Sequence, residues 1–109
     1  MDQIEALAAL GALSQQTRLE AFRLLVRHEP GGLAAGEIAG ALDVPSNTLS
    51  THLAILARAG LVTSERQSRM IRYHASLVRL REMMLFLARD CCAGRPELCE
   101  PLAAELTCC

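Results

Sequence analysis

EIAGALDVPSNTLSTHLAILARAGLV, residues 37–62, is the stretch that decides the fold of this chain. Its apolar spacing predicts a short helix over residues 35–42, the turn Asp43-Val44-Pro45, and a second helix over residues 47–59 that is capped by Ser46 and stopped by Gly60. The second helix carries one apolar stripe, formed by Leu49, Leu53 and Leu56. Two helices joined by so tight a turn predict a helix-turn-helix.

The flanking sequence extends this motif on both sides. Helical spacing of apolar residues predicts one helix near the start and another capped by Ser14. After the motif, residues 61–66 and 70–74 have the pattern of two strands joined by a polar turn at residues 67–69. A last helix then carries an a/d-type seam suited to packing against another helix. The seam residues are Leu77, Leu80, Met84, Leu87 and Cys91. The order α-α-α-α-β-β-α predicts a mainly α fold with a small β-hairpin wing, a winged helix-turn-helix.

This order also predicts where DNA is bound. Small or hydrogen-bonding side chains on the outer face of the fourth helix suit an element inserted into the major groove, and arginines on the ribbon can meet phosphates or the minor groove. The predicted DNA-binding residues are Ser46, Asn47, Ser50, Thr51, His52, Arg66, Arg69 and Arg72. A merely solvated polar face is the alternative for a lone helix, and the four-part order favours DNA. For His52 a packing role also remains open, and Arg18 either contacts DNA or holds the second helix.

Charge is distributed unevenly, although the formal net charge is only −1. Residues 45–74 contain four arginines against the single acid Glu65, whereas residues 90–109 contain four acids against Arg95. The middle of the chain is therefore locally basic, as a nucleic-acid partner requires, and the tail is acidic.

Length and motif content restrict the class of protein. A chain of 109 residues with 51% hydrophobic content predicts one small domain, here residues 1–93, followed by a tail at residues 94–109. There is no apolar run of 18 residues and no signal-peptide pattern, so we expect a cytoplasmic protein without a membrane partner. No Cys-x-x-Cys accompanies a βαβ pattern, and we expect neither an enzyme nor a catalytic cofactor.

The five cysteines all lie in the last nineteen residues, at positions 91, 92, 99, 108 and 109. Core cysteines would be scattered through the apolar positions, and thiols in a reducing compartment are more often ligands or redox groups than structural disulfides. Thiolates select soft ions. The tail is therefore interpreted as a sensor attached to the DNA-binding part.

Three segments resemble the ArsR/SmtB family of metal-responsive repressors: LSQQTRLEAFRLL (13–25), EIAGALDVPSNTLSTHLAILARAGLV (37–62) and RMIRYHAS (69–76). The resemblance covers nearly the whole chain. It implies a homodimeric winged helix-turn-helix with the first and last helices at the dimer interface. It also implies repression through double-stranded operator DNA and release when an inducer binds.

The family's inducer sites are matched unevenly by this sequence. The Cys-x-Cys that begins the third helix in arsenic sensors is absent, and the last helix lacks the Asp and His pairs of zinc, nickel and cobalt sensors. The remaining candidates are Cys91, Cys92 and Cys99, which resemble a trivalent arsenic site made of a C-terminal vicinal pair and a third cysteine. Arsenite and antimonite are three-coordinate and thiophilic, and Gly94 allows the chain to turn between these cysteines.

Several alternatives remain open from the sequence. Zinc prefers a fourth ligand, which Cys108 or Cys109 could supply, so cadmium, lead and zinc remain candidate inducers. Otherwise these two are spare thiols. A thiol switch that senses oxidants or persulfides is the competing class of regulator. A constitutive architectural DNA-binding protein, without any inducer, is the third class.

Overall fold

The computed structural model describes residues 1–89 and 96–106, and within the last segment it describes the backbone but not the side chains of residues 96, 98 and 99. Six helices and three strands occur in this part of the chain. They are α1 (Gln3–Leu13), α2 (Gln16–Arg27), β1 (Leu33–Ala34), α3 (Ala35–Leu42), α4 (Ser46–Arg58), β2 (Val62–Gln67), β3 (Met70–Ala75), α5 (Leu77–Ala88) and α6 (Pro96–Leu106). The predicted mainly α winged helix-turn-helix is confirmed, with β1 and α6 as additional elements.

The core is built around the leucine stripe of α4. Leu49, Leu53 and Leu56 are each 1% exposed or less, and they pack with buried apolar residues of α2, α3 and the start of the wing. Burying an aliphatic side chain of this kind stabilises a fold by roughly 1.5–3 kcal/mol. The predicted stripe is confirmed, and its burial fixes which face of α4 points away from the protein.

The turn between α3 and α4 depends on one unusual backbone conformation. Asp43 ends α3 in the left-handed region, at φ 55° and ψ 51°, and its N–H bonds to the carbonyl of Ala39. Pro45 then takes an extended conformation, and α4 begins at Ser46. Aspartate tolerates left-handed backbone better than most residues, so the turn can be tight without a glycine.

The wing is part of a three-stranded antiparallel sheet in the order β1-β3-β2. In the hairpin Val62 is opposite Ala75 and Gln67 is opposite Met70, so the turn consists of Ser68 and Arg69. The added strand β1 pairs Leu33 with Tyr73. Gly32, at φ +71°, precedes it, and a side chain there would lie 2.5 Å from the Tyr73 carbonyl oxygen. Only glycine allows this approach of the loop to β3.

Two predicted helix caps are wrong. Ser14 does not cap α2; its Oγ donates to the carbonyl of Gly11 over 2.7 Å and so completes the end of α1. The side chain of Gln15 caps α2 instead, by accepting the N–H of Arg18 over 2.9 Å. Ser46 is the first residue of α4 rather than its cap, because the extended backbone of Pro45 already starts the helix.

Helices α1 and α5 leave an apolar surface uncovered. In α1 the small residues Ala6, Ala9 and Ala12 are buried, whereas in α5 only Met83 is. The exposed apolar residues of the two helices are Ile4, Leu7, Leu10, Leu77, Val78, Met84, Leu85 and Leu87, which we call the α1/α5 face. Arg79 of α5 connects the helices through an ion pair of 3.2 Å with Glu5. None of the described helices is long and apolar enough to cross a bilayer.

The conformation of Asp43 gives a stability prediction. Asp43→Val should lower the free energy of unfolding by about 1–3 kcal/mol, because a β-branched residue is strained at positive φ. Asp43→Gly should leave the free energy of unfolding unchanged or raise it. Urea unfolding followed by circular dichroism measures both variants, and equal losses for Val and Gly would contradict the assigned backbone strain.

Candidate nucleic-acid interface

The outer face of α4 carries small, mostly polar side chains and the exposed Arg58 at its C-terminal end. Ser46, Asn47, Ser50, Thr51 and Ala54 are all exposed there. The hydroxyls of Ser50 and Thr51 donate to the carbonyls four residues earlier, over 3.0 and 3.4 Å. Their oxygens remain available as acceptors, and the short side chains let the helix backbone come close to a partner surface. This face can therefore enter a groove and hydrogen-bond to base edges.

The three predicted wing arginines have two different environments. Arg66 and Arg69 are exposed, Arg66 on β2 and Arg69 in the hairpin turn. The guanidinium of Arg72, in contrast, donates to the carbonyl of Gly32 over 3.1 Å and to Oε1 of Gln67 over 3.2 Å. Arg72 thus joins the wing to the loop before β1. Contact of all three arginines with DNA stays a prediction, with Arg66 and Arg69 the better exposed.

His52 lies on the flank of α4 rather than on its outer face. Consecutive helical residues are about 100° apart, and His52 follows Thr51 towards α2. The ring is half-buried, and its Nδ1 is 3.3 Å from Nη1 of Arg18. Two roles were predicted for His52. Its contact with Arg18 supports the packing role, and contact with DNA stays a prediction.

His74 lies between two carboxylates at the base of the wing. Its Nε2 is 3.0 Å from Oε1 of Glu65 on β2, and its Nδ1 is 3.2 Å from Oε1 of Glu29, in the loop after α2. The second oxygen of Glu29 accepts the backbone N–H of Ala75. The hydrogen bond to Glu65, and then that to Glu29, raises the pKa of His74, although desolvation opposes the charged form. Sequence reasoning missed this cluster because its members lie far apart along the chain.

Most of the predicted inducer site lies outside the described residues. Cys91, Cys92, Cys108 and Cys109 lie outside the described residues. The backbone of Cys99 lies in α6, in the fourth position of that helix. Among residues 1–89 and 96–106, no group of three His, Cys, Asp or Glu side chains is arranged to hold a metal ion. The cysteine site therefore stays a prediction.

Known proteins share this architecture. A family model described as a helix-turn-helix domain matches residues 13–65, from the end of α1 into β2. An ArsR-like transcriptional regulator from Rhodococcus sp. RHA1 has 31% sequence identity and a TM-score of 0.72, over 93% of this chain and 89% of that one. The chain belongs to the ArsR family of winged helix-turn-helix transcriptional regulators.

Two further relatives agree with ArsR membership. Transcriptional activator HlyU of Vibrio cholerae is 31% identical over 88 residues, which are 81% of this chain and 79% of HlyU. A structure of reduced HlyU has 29% identity and a TM-score of 0.64, over 79% of this chain and 87% of that one. The homodimeric DNA-binding domain of Mb0332 from Mycobacterium bovis, a possible ArsR-family regulator, has 26% identity and a TM-score of 0.65, over 79% and 80% of the two chains. This ArsR protein is accordingly a DNA-binding regulator of transcription.

The His74 cluster gives a pH prediction. A raised pKa means that the folded state holds the proton more tightly, so the stabilisation is fully present below the usual histidine pKa of about 6.5 and is lost as pH rises through the higher folded value. The melting temperature of wild type minus that of His74→Gln should therefore shrink from pH 6 to pH 9. The exposed His28→Gln is the control. A difference that is constant across this range would contradict the shift.

Proposed function

We propose that this chain is a homodimeric repressor that binds operator DNA through α4 and the wing and is released when trivalent arsenic or antimony binds its C-terminal cysteines. The observation that carries the DNA-binding half is the small polar face of α4 next to the exposed Arg66 and Arg69. The inducer half is supported by the chemistry of the cysteines and by their position after α5.

In the proposed complex α4 lies in the major groove. Ser46, Asn47, Ser50 and Thr51 supply donors and acceptors for base edges, and they are short enough for the helix backbone to approach. Arg66 and Arg69 would neutralise phosphates beside that groove. The formal net charge of −1 is no obstacle, because four of the acids are concentrated in residues 90–109 and residues 45–74 contain four arginines against one acid.

The α1/α5 face is the proposed contact between two copies. Ile4 is 80% exposed, Leu85 60% and Val78 66%, and an apolar surface of this extent on a small protein commonly marks an interface. The homodimeric state of Mb0332 supports the same assembly here. A dimer also sets two copies of α4 at a fixed distance, which a two-fold symmetric operator requires.

The dimer prediction uses Leu85→Glu. A carboxylate in the centre of an apolar contact would be desolvated without a partner, so we expect this variant to be monomeric at micromolar concentrations. Leu19→Glu, at a leucine of α2 that is 42% exposed, is the matched control and should remain dimeric. Light scattering coupled to size exclusion gives both masses. A dimeric Leu85→Glu variant would place the interface elsewhere.

The proposed inducer site is formed by Cys91, Cys92 and Cys99. Three thiolates satisfy trivalent arsenic or antimony, and the bound ion would hold together two cysteines that follow α5 and one in α6. Leu102 and Leu106 of α6 line an apolar groove of about 560 Å³ whose other side belongs to α5. A bound ion that holds α6 closer to α5 would therefore shift α5, the helix that also contributes to the α1/α5 face.

Arsenite titration tests the inducer half. The probe is a duplex enriched by the wild-type protein from a random 30-base-pair pool, and its affinity is measured by fluorescence anisotropy. A coupling of about 1–3 kcal/mol predicts that arsenite weakens wild-type binding roughly 5–150-fold. A variant with Cys91, Cys92 and Cys99 replaced by serine should bind DNA normally and ignore arsenite.

The matched control replaces Cys108 and Cys109 with serine. It should respond to arsenite like wild type if these two cysteines are spare. Loss of the response in this control would extend the site to the C-terminus. A triple serine variant that still releases DNA with arsenite would refute the proposed site.

A thiol-redox repressor is the second candidate function. It is favoured by the vicinal pairs at residues 91–92 and 108–109 and by the relative HlyU, whose structure is described for a reduced form. It requires release by an oxidant or persulfide without metalloid. Mass spectrometry of the released protein separates the two candidates: bound arsenic adds mass, a disulfide removes two hydrogens, and a persulfide adds sulfur.

A further inference from the structure

The side chain of Arg18 connects α1 with α4. Its Nε donates to the carbonyl oxygen of Ala12 over 2.6 Å, and its Nη1 donates to Nδ1 of His52 over 3.3 Å. Arg18 itself is half-buried in the first turn of α2. One guanidinium therefore touches two helices at once, from a third helix that holds it in place.

The contact with Ala12 completes the end of α1. The last four carbonyls of a helix lack partners within the helix, and Ala12 is one of the last two residues of α1. The last turn of α1 contains no basic residue of its own, so Arg18 also supplies the positive charge that a helix C-terminus favours. Capping of α2 by Gln15 fixes the backbone of Arg18 in the position this contact needs.

The contact with His52 defines which ring nitrogen accepts from Arg18. A guanidinium has donors only, so in this hydrogen bond Nδ1 of His52 is the acceptor and the ring hydrogen lies on Nε2. The planar fork of arginine makes both contacts in one geometry, which a lysine cannot reproduce.

We infer that Arg18 is a positioning residue for DNA recognition, and that it holds α4 at a fixed orientation to α1 through His52. The inference rests on the proposed function, in which α1 belongs to the dimer contact and α4 reads the operator. The spacing and tilt of the two copies of α4 then depend on how firmly each is joined to its own α1. Arg18 is the polar side chain that makes this connection in each protomer.

A direct phosphate contact by Arg18 is the competing role, and the two roles differ in what they predict. A positioning role affects sequence-selective binding and leaves non-specific binding intact, since the latter depends on total charge. A phosphate contact weakens both kinds of binding and lowers the salt dependence of binding when the charge is removed. Lysine satisfies a phosphate but cannot join Ala12 and His52.

The test measures Arg18→Lys on the selected duplex and on a scrambled duplex of the same composition. We expect a loss of roughly tenfold on the selected duplex, as for a hydrogen bond made by a charged group, and less than a twofold change on the scrambled one. Arg23→Lys, at an exposed arginine of the same helix, is the control and should change neither. Arg18→Gln should keep the wild-type salt dependence of non-specific binding.

Variants of His52 test the other end of the contact. His52→Asn keeps an acceptor at the δ1 position and should stay within about threefold of wild type, whereas His52→Leu should lose as much as Arg18→Lys, roughly tenfold. The double variant Arg18→Lys/His52→Leu should be no weaker than either single one, because both remove the same interaction. Retained binding to the scrambled duplex shows that each variant is folded.

The outcomes separate this inference from the proposed function. If the wild-type protein binds the selected duplex and the Arg18→Lys variant binds it with equal affinity, the positioning role is refuted and the proposed function is not. A smaller salt dependence for Arg18→Gln, or additive losses in the double variant, assigns Arg18 to a phosphate and also refutes it. Wild-type protein that binds neither duplex at low salt refutes the proposed function and this inference together.

Discussion

The burial of Leu49, Leu53 and Leu56 is the constraint on which the DNA-binding part of this molecule depends. With these leucines facing α2 and α3, the helical period leaves small, mostly polar residues and Arg58 on the opposite face of α4. A rotation of α4 by one residue would expose leucine and bury serine. The core therefore determines which face of α4 is exposed, as well as the stability of the fold.

Polar contacts add to apolar packing where the base of the wing meets the rest of the protein. In β2 only Val62 is buried, and the remaining five residues of that strand are exposed. The base of the wing packs on the core through Val62 and Ala75, and Glu29, His74 and Arg72 also connect it to the loop between α2 and β1. Hydrogen bonds that involve a charged group are directional, so they restrain the orientation of the sheet as well as its position.

The sequence predicted the parts of this molecule whose signals are local and periodic. The leucine stripe, the turn at residues 43–45 and the hairpin each leave a pattern within a short window, and the structure confirms them. Strand β1 has two residues and hence no period to detect. The cluster of Glu29, Glu65 and His74 arises from tertiary folding, which sequence spacing does not reveal.

Some residues of the candidate site were predicted correctly as exposed, and others have contacts within the protein that the sequence did not predict. The outward polar residues of α4 follow directly from the position of its leucines, and all of them are exposed. Arg72 and His52 were predicted from composition and position alone, which do not show that each side chain has a partner within the fold. Neighbouring positions on one strand or helix can thus differ in role, because tertiary contacts occupy some side chains and leave others exposed.

The attachment of the wing at its base has a consequence for how the hairpin can adapt. Six paired positions and the contacts of Arg72 restrain the strands, which leaves Ser68 and Arg69 as the two residues outside the ladder. Any conformational adjustment of the hairpin to a curved or narrowed duplex would then be confined to these two residues at its tip. A change of shape at the tip would be absorbed there, without being transmitted to α4.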